Sequence, residues 1–185
     1  MDYSIFQIIN QFADKSGILD SLMIGLAKYG VLLMALPLLV LWFWGEDGDK
    51  AKKAALLSLL SMALALLINQ VIGHLYFRPR PFAAHEVNLL LDKSTDPSFP
   101  SDHSAFVFAI AWLIMLKDRC IGIFALAIGI LVGISRIFVG LHYPGDVLGG
   151  MFIGLISALL VWKARKILDP VTSFLIGVAR KSKLA

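Results

Sequence analysis

The chain has a single cysteine and few charged residues, and each scarcity excludes a class of protein. Cys120 has no second cysteine with which to form an internal disulfide, and a Cys-rich metal site is excluded for the same reason. Only 16% of the 185 residues are charged, whereas 58% are hydrophobic and the mean hydropathy is +0.80. A soluble domain carries about 25% charged residues, so the surplus apolar side chains require lipid. The composition also excludes a disordered or fibrous chain.

Long apolar segments use up most of the chain. Crossing a bilayer takes about 17–25 apolar residues. Five segments approach this length, at 19–44, 54–77, 101–116, from 120 to beyond 135, and at 147–162. We therefore expect an all-α integral membrane protein, a bundle of five to six transmembrane helices forming one domain over residues 1–185. The net charge of +4 is too small to indicate a nucleic-acid partner.

Both ends of the chain carry shorter apolar segments. Near the N-terminus, several apolar residues fall roughly on one side of a helix: Tyr3, Ile5, Phe6, Ile8, Ile9 and Phe12. The segment 171–179 precedes a basic stretch and has a similar character. Both patterns predict amphipathic helices at the membrane surface. Residues 1–14 lack the basic region with which a signal peptide begins, and Pro37 is expected to kink the first span.

The basic residues predict the orientation. The spans alternate in direction, so the loops 45–53 and 117–119 and the C-terminal tail share one side of the membrane. That side carries 11 of the 17 Lys and Arg residues: Lys50, Lys52, Lys53, Lys117, Arg119, Lys163, Arg165, Lys166, Arg180, Lys181 and Lys183. Because short cytoplasmic loops hold the excess of Lys and Arg, we expect the loops 78–100 and 136–146 to face outwards.

These two outward loops contain nearly all the residues with useful chemistry. The first holds Arg78-Pro79-Arg80-Pro81 and ends in Pro100-Ser101-Asp102-His103. The second holds Ser135-Arg136 and ends in His142-Tyr143-Pro144-Gly145-Asp146. Ionisable groups at the ends of apolar spans are costly, so a cluster of them indicates a functional site.

An anion would find suitable partners in this cluster. Arg80 and Arg136 carry planar, permanently charged groups that match phosphate oxygens. His103 and His142 can exchange protons near neutral pH, and Asp146 could hold the second ring nitrogen of His142. The positive end of the span that begins near 101 points to the same region. Together these features predict a phosphoryl-transfer site.

Each motif alone also has a structural interpretation. The Arg-Pro-Arg-Pro segment could be a stiff cationic end of a span that contacts lipid headgroups. The Ser101-Asp102 pair could simply cap a helix, and His142 could be a turn residue. We interpret His74, His85 and Lys93 in this structural sense. The order, the spacing and the shared membrane face of the motifs favour the functional interpretation.

The three blocks resemble a known family. Arg80-Pro81, then Pro100-Ser101-x-His103, then Ser135-Arg136 with His142 and Asp146 at the family's spacing resemble the type 2 phosphatidic-acid phosphatase superfamily. The resemblance implies a metal-independent membrane phosphatase built as a helical bundle, without a cofactor. It further implies that His142 attacks phosphorus and forms a phosphohistidine, while Asp146 orients it and His103 transfers the protons. Binding of the phosphoryl oxygens would fall to Arg80 and Arg136, assisted by Ser101, Asp102 and Ser135.

Two positions depart from the family pattern. The first block usually begins with a lysine seven positions before its arginine, where this chain has Gly73; Arg78 or His74 would then substitute in part. The second block usually has glycine before its histidine, where this chain has Asp102. With its short length, the chain resembles the bacitracin-resistance branch, whose members hydrolyse undecaprenyl diphosphate. This implies a polyprenyl diphosphate substrate in a bacterial plasma membrane.

Other functions remain open from the sequence. The same mechanism could serve phosphatidate, phosphatidylglycerophosphate or diacylglycerol diphosphate. A lipid transporter is a more remote alternative, because transporters usually place charged residues near the bilayer midplane and here they group at one face. A metal site formed by the histidines and aspartates is not supported by any short His-x-x-x-His spacing.

Overall fold

The computed structural model describes residues 1–182, and every regular element in that range is helical. The basic residue Lys183, placed above on the cytoplasmic side, lies outside the described residues. The helices are α1 (Asp2–Asn10), α2 (Gly17–Tyr29), a 3-10 turn (Gly30–Met34), α3 (Ala35–Trp44), α4 (Asp49–Leu75), α5 (Pro81–Ala84), α6 (Asp102–Lys117), α7 (Arg119–Phe138) and α8 (Pro144–Lys181).

Four helical segments within residues 1–182 are long and apolar enough to cross a bilayer: Gly17–Trp44, Asp49–Leu75, Arg119–Phe138 and Pro144–Lys181. The remaining predicted span is α6, which has 16 residues. At about 1.5 Å per residue it is shorter than the hydrocarbon thickness of roughly 30 Å. The prediction of an all-α membrane bundle is therefore confirmed, with α6 as its short member.

The first span is continuous but not uniform. Between α2 and α3 the chain tightens into the 3-10 turn Gly30–Met34, and Pro37 follows in the first turn of α3. Proline lacks the backbone N–H of an ordinary helix residue, and its ring crowds the carbonyl group four positions earlier. The sequence predicted a kink at Pro37, and the structure shows a 3-10 turn just before it.

Helix α6 lies at the centre of the bundle and packs against α4, α7 and α8. Its side chains Val107, Ile110, Leu113 and Ile114 are fully buried. Exposed apolar residues are found on the surrounding helices: Leu67, Val71, Ile123, Ile130, Phe152 and Ile156. Because the neighbouring helices shield α6 from lipid, its length does not need to match the bilayer.

Helices α6 and α8 approach closely through small residues. A methyl group added at Gly154 would lie 2.6 Å from the backbone nitrogen of Ala109, and one at Gly150 would lie 2.6 Å from the carbonyl oxygen of Ser101. Glycine at these positions lets the two backbones pack without a gap. This contact fixes the start of α8 beside the start of α6, where the backbone N–H of Ser101 donates to the Asp146 carbonyl at 3.1 Å.

Helix α8 is longer than predicted. It has 38 residues and includes both the fifth predicted span and the C-terminal segment 171–179, which the sequence placed in a separate element. Pro170 lies inside it. In this last part Thr172 and Ile176 are buried whereas Phe174 is exposed. The segment 171–179 is thus amphipathic as predicted, but it is the end of α8 and not a separate helix.

Helix α1 covers one end of the bundle. Its nine residues extend only about 13 Å, so it cannot cross the bilayer by itself. Phe6 is buried and stacks at a tilt on Tyr143, while Ile5 and Ile8 remain exposed. The apolar residues predicted to share one face therefore divide between the bundle and the exterior. The same end of the bundle carries the connections 76–101 and 139–143.

Candidate active site

A cavity of about 240 Å³ opens at the end of the bundle that α1 covers. Its walls come from the connection before α6, the first turn of α6, the end of α7 and the connection to α8. The lining residues are Arg80, Ser94, Asp96, Pro97, Pro100, Asp102, His103, Arg136, Leu141 and His142. Five of the predicted site residues therefore meet in one space: Arg80, Asp102, His103, Arg136 and His142.

His142 is held in a defined tautomer. Its side chain is only 2% exposed, and Nδ1 lies 2.9 Å from the carbonyl oxygen of Ser98. Since a carbonyl oxygen can only accept, Nδ1 must carry the hydrogen. Nε2 lies 3.2 Å from Nη1 of Arg80, which can only donate, so Nε2 must be the unprotonated nitrogen. Burial lowers the pKa of His142 below its ordinary value of 6.5, which favours the neutral ring.

Asp146 lies behind His142 and is fully buried. Its Oδ2 is 3.7 Å from Nδ1 of His142, too long for a hydrogen bond. Oδ2 instead accepts from the Ser98 hydroxyl at 2.5 Å and the backbone N–H of Tyr143 at 2.8 Å. Oδ1 accepts from Arg78 at 2.6 Å. Asp146 therefore fixes the start of α8 and the Ser98 segment, and Ser98 is the residue that bonds to Nδ1 of the imidazole.

Arg80 precedes α5, whose first residue Pro81 ends the extended connection. The guanidinium is 6% exposed. Nη1 donates to the Leu141 carbonyl at 3.1 Å, Nε donates to the Asp96 carbonyl at 3.2 Å, and Nη2 pairs with the Asp96 carboxylate at 2.8 Å. An anion in the cavity would therefore compete with Asp96 for this guanidinium.

Arg136, in the last turn of α7, supplies a second cation. Its Nη1 donates to the Ala27 carbonyl at 2.8 Å, which anchors the side chain to α2. Nε is buried without a hydrogen-bond partner in the part of the chain that the structure describes. No carboxylate within ion-pair distance is found for Arg136 among residues 1–182. An uncompensated guanidinium 7% exposed favours an anionic ligand, because a buried charge otherwise lacks solvation.

His103 and Asp102 occupy the first turn of α6. His103 is partly exposed to the cavity and forms no hydrogen bond within the described chain, so its ring is free to reach a ligand. The Asp102 carboxylate accepts from the Asn69 amide at 2.5 Å, and the same amide donates to the Pro100 carbonyl at 3.1 Å. Asn69 thus ties α4 to the segment that precedes His103.

Two predicted binding residues do not line the cavity. Ser101 is buried and caps α6, with its hydroxyl oxygen 3.4 Å from the backbone nitrogen of Ser104. Ser135 is also buried, and its hydroxyl donates to the Val132 carbonyl at 2.7 Å in its own helix. Both hydroxyls have partners within the protein, so they support the backbone of the site.

The missing lysine is not replaced by Arg78. This guanidinium bridges two carboxylates, Asp146 and Asp2, at 2.6 Å each, and lies 4.1 Å from the centre of the Tyr143 ring. The Arg78 guanidinium therefore joins α1 to α8 and is not available to bind a phosphate in place of the lysine. His74 bonds to the Gln70 carbonyl through Nδ1 at 2.7 Å and borders a second cavity of about 270 Å³, together with Gly73.

Asp96 and Ser98 were not predicted as site residues. Both lie in the connection 85–101, where no periodicity or motif spacing marks one polar residue among several. Asp2 was not predicted either. Its carboxylate accepts from Arg78, which lies 76 positions away in the chain, and no sequence pattern links the two residues. Their roles depend on the path of connecting segments, which a residue pattern does not encode.

Comparison with known proteins assigns the chain to a family. The sequence model of the PAP2 superfamily matches residues 54–169, which include most of α4, all of α6 and α7, and both motif loops. The chain belongs to the PAP2 superfamily. It is thus a multi-pass membrane hydrolase, and its short, partly enclosed α6 lies within the matched region.

Individual relatives of this PAP2 chain agree with that assignment. Undecaprenyl-diphosphatase BcrC of Bacillus subtilis (strain 168) is 35% identical over 178 residues, covering 96% of this chain and 91% of the relative. The crystal structure of Aquifex aeolicus LpxE superposes with a TM-score of 0.71 at 28% identity, covering 88% of this chain and 94% of that one. A PAP2-type phosphatidylglycerolphosphate phosphatase from Bacillus subtilis gives a TM-score of 0.62 at 27% identity, covering 90% and 87% of the two chains.

Proposed function

We propose that this PAP2 chain hydrolyses undecaprenyl diphosphate to undecaprenyl phosphate and inorganic phosphate. The observation that carries the proposal is the unprotonated Nε2 of His142, held beside Arg80 in a cavity that also contains Arg136 and His103. A neutral imidazole nitrogen is a nucleophile, and the two guanidinium groups match the oxygens of a phosphoryl group. The 35% identity to a named undecaprenyl-diphosphatase supports this choice of substrate.

In the first step, Nε2 of His142 attacks the terminal phosphorus in line with the bridging oxygen. A nitrogen–phosphorus bond forms, and the bond from phosphorus to the bridging oxygen breaks. His103 donates its proton to that oxygen, so undecaprenyl phosphate departs. Arg80 and Arg136 bind the non-bridging oxygens and stabilise the negative charge during transfer.

In the second step, water hydrolyses the phosphohistidine. His103, now neutral, takes a proton from the water as its oxygen attacks phosphorus. Inorganic phosphate leaves, His142 regains its neutral ring, and His103 is again protonated for the next turnover. The carbonyl of Ser98 accepts from Nδ1 throughout and stabilises the positive charge that the ring acquires in the intermediate.

The mechanism proposed here requires no metal ion. The charge that a metal would neutralise is met by Arg80 and Arg136, and two guanidinium groups would repel a cation brought into the same cavity. Phosphatase activity that persists in excess EDTA would agree with this step of the proposal. Loss of activity that Mg²⁺ or Zn²⁺ restores would contradict it.

The lipid would approach from the bilayer. The cavity lies at the end of apolar helices, so a diphosphate at headgroup depth reaches His142 while its isoprenoid tail stays among the exposed apolar side chains. From the distribution of Lys and Arg, we place this end outside the cytoplasm of a bacterial cell. Residues 1–185 would act as one domain. Hydrolysis there would return the monophosphate carrier for cell-wall synthesis and remove the target of bacitracin.

A second cavity beside the site offers space for the part of the substrate beyond the scissile bond. It shares Asp96, Pro97, Pro100 and Asp102 with the catalytic cavity and is bordered by Gly73. A methyl group at Gly73 would meet only Pro97, at 3.9 Å, so a lysine side chain here would enter open space. Its absence leaves room for the part of the substrate next to the scissile bond.

Phosphatidylglycerophosphate is the second candidate substrate, because a phosphatase of that lipid shares the fold with a TM-score of 0.62. The test is phosphate release by the purified chain in detergent with EDTA, with undecaprenyl diphosphate, phosphatidate and phosphatidylglycerophosphate as parallel substrates. Preference for the isoprenoid diphosphate supports the proposal. Preference for a glycerolipid moves the chain to phospholipid metabolism, and no release from any substrate contradicts the enzymatic assignment.

A further inference from the structure

A third cavity, here called the basic cavity, lies at the end of the bundle opposite the active site. Its volume is about 470 Å³, and helices α4, α6 and α8 form its walls. The lining residues are Lys50, Lys53, Ala54, Leu57, Lys117, Trp162, Arg165, Lys166, Asp169 and Thr172. Lys117 and His103 are 14 residues apart on α6, about 21 Å along the helix axis, so this cavity is separate from the catalytic one.

The charge of this basic cavity is only partly compensated. Five cationic side chains line it against the single carboxylate of Asp169. Asp169 pairs with Lys53 at 2.6 Å, and Asp47 outside the cavity pairs with Lys117 at 2.7 Å. For the other three cations, no carboxylate lies within ion-pair distance among residues 1–182: Lys50, Arg165 and Lys166.

Arg165 is held in place as part of the wall. Its Nη1 donates to the Trp162 carbonyl at 2.7 Å, and the guanidinium lies 4.6 Å from the centre of the Trp162 ring. This arrangement orders the cation without neutralising it. Tryptophan with neighbouring arginine and lysine is typical of the depth at which a bilayer meets water.

The cavity also has an apolar part. Ala54 and Leu57 are buried in its floor, and Trp162 lies in its wall. A free ion needs only the cations, whereas a phospholipid places its phosphate on the cations and its glycerol and acyl chains on apolar surface. Basic pockets between transmembrane helices at the interface suit anionic headgroups.

We propose that the basic cavity binds the phosphate of an anionic phospholipid headgroup, at a site distinct from the catalytic one. Lys50, Arg165 and Lys166 supply the uncompensated charge, and Trp162 with Leu57 accommodates the part of the lipid below the phosphate. The site joins α4, α6 and α8 at one end of the bundle, so bound lipid stabilises the packing of these helices. The proposal does not depend on which substrate the enzyme hydrolyses.

The test measures binding without using activity. The full chain in detergent is titrated with dioleoylphosphatidylglycerol, with dioleoylphosphatidylcholine, and with sodium phosphate against sodium chloride at equal ionic strength. Retained lipid is measured by native mass spectrometry, and the thermal unfolding temperature is measured in parallel. The variant is Lys50→Gln/Arg165→Gln/Lys166→Gln. The matched control, Lys52→Gln/Arg119→Gln/Lys163→Gln, removes the same charge at the same end from residues that do not line the cavity.

We expect phosphatidylglycerol to bind the wild-type chain and the control, to raise their unfolding temperature, and to bind the cavity variant at least tenfold more weakly. Any binding at the catalytic site is common to all three proteins and cancels in the comparison. Stabilisation by phosphatidylglycerol but not by sodium phosphate supports a lipid. Equal stabilisation by sodium phosphate, lost in the cavity variant, overturns the lipid and assigns the cavity to the free ion.

Two results would overturn the site altogether: equal retention of phosphatidylglycerol by the cavity variant and the wild type, or an equal loss in the control. If the triple variant does not fold, Lys50→Gln/Lys166→Gln replaces it, because both side chains are exposed and lack an ion pair in the described chain. That double variant must also bind phosphatidylglycerol more weakly than Lys52→Gln/Lys163→Gln.

Discussion

The carbonyl oxygen of Ser98 lies 2.9 Å from Nδ1 of His142 and determines which ring nitrogen faces the cavity. The Asp146 carboxylate, predicted to hold that nitrogen directly, lies 3.7 Å away and binds the Ser98 hydroxyl instead. The position of His142 therefore depends on two links in series, from Asp146 to Ser98 and from Ser98 to the imidazole. Ser98 therefore orients the nucleophile His142, and Asp146 supports the segment that contains Ser98.

Asp146→Asn is expected to lower both stability and turnover. In asparagine an NH2 group replaces one of the two carboxylate oxygens. That group would face Arg78 or the backbone N–H of Tyr143, which are themselves hydrogen-bond donors. Breaking such a buried pair costs on the order of 3 kcal/mol, which a lower unfolding temperature in detergent would report. Turnover should fall less than in a His142 variant, because Ser98 still accepts from Nδ1. Equal loss of turnover with unchanged folding would require direct participation of Asp146.

Arg78 and Arg80 are expected to give different phenotypes although only Pro79 separates them. Arg78→Met should lower the unfolding temperature with little change in KM, because Arg78 bridges Asp2 and Asp146 outside the cavity. Arg80→Lys should raise KM and lower kcat about tenfold or more, because lysine cannot form the same planar contacts. Steady-state kinetics and thermal unfolding of the two variants provide the check. An increase in KM for Arg78→Met with unaltered stability would place Arg78 on the substrate.

Asp96→Asn is expected to tighten the binding of inorganic phosphate. The Asp96 carboxylate pairs with Arg80 at 2.8 Å, and a phosphate oxygen needs the same guanidinium. Removing the charge removes the competitor, so the inhibition constant for phosphate should fall several-fold. Asp92→Asn, which removes a charge in the same connection without lining the cavity, is the control. Weaker inhibition in Asp96→Asn would mean that Asp96 positions Arg80 for the ligand.

The activity should depend on pH through His142. Burial lowers its pKa below the ordinary 6.5, so the nucleophile stays neutral into mildly acidic solution. The acid side of the profile of kcat/KM should therefore have its midpoint below pH 6.5. The mechanism also requires a protonated His103, so the rate should fall again once His103 has lost that proton. An acid midpoint above pH 6.5 would contradict the lowered pKa of His142.

The same lowered pKa links His142 to stability. As pH falls from 6.5 towards the native pKa, the unfolded chain takes up a proton that the native state does not bind. The free energy of unfolding must therefore decrease in that window. His142→Gln, which lacks the group, should show a shallower loss of unfolding temperature below pH 6.5. Parallel curves for the two proteins would contradict the lowered pKa.

The sequence predicted the elements and the residues that depend on local patterns. Runs of apolar residues located the spans, and motif order brought His103, Arg136 and His142 to one end of the bundle. The structural interpretation of Ser101 as a helix cap is the one that the hydrogen bonds bear out. The sequence wrongly separated the segment 171–179 from α8, because helix continuation past Pro170 depends on contacts with the start of α4.

Contacts between connecting segments that are distant in the chain could not be predicted from the sequence. Ser98 reaches His142 across 44 positions, and Asp2 reaches Arg78 across 76. Neither contact has a period or a spacing that would mark it. The motif position of Ser135 suggested substrate binding, which stays a prediction; in the structure its hydroxyl donates to the carbonyl of Val132.

Nucleophilic attack by His142 is tested most directly by trapping the phosphohistidine intermediate. Undecaprenyl diphosphate labelled with ³²P in its terminal phosphate is mixed with the full chain in EDTA and quenched with alkali within milliseconds. Attack by Nε2 of His142 predicts base-stable, acid-labile label on the peptide that contains His142. No label is expected in His142→Gln, whose unfolding temperature should remain close to that of the wild type at neutral pH. His85→Gln, a substitution at an exposed histidine outside the cavity, should label normally. Rapid release of labelled phosphate without label on His142 would contradict the central claim.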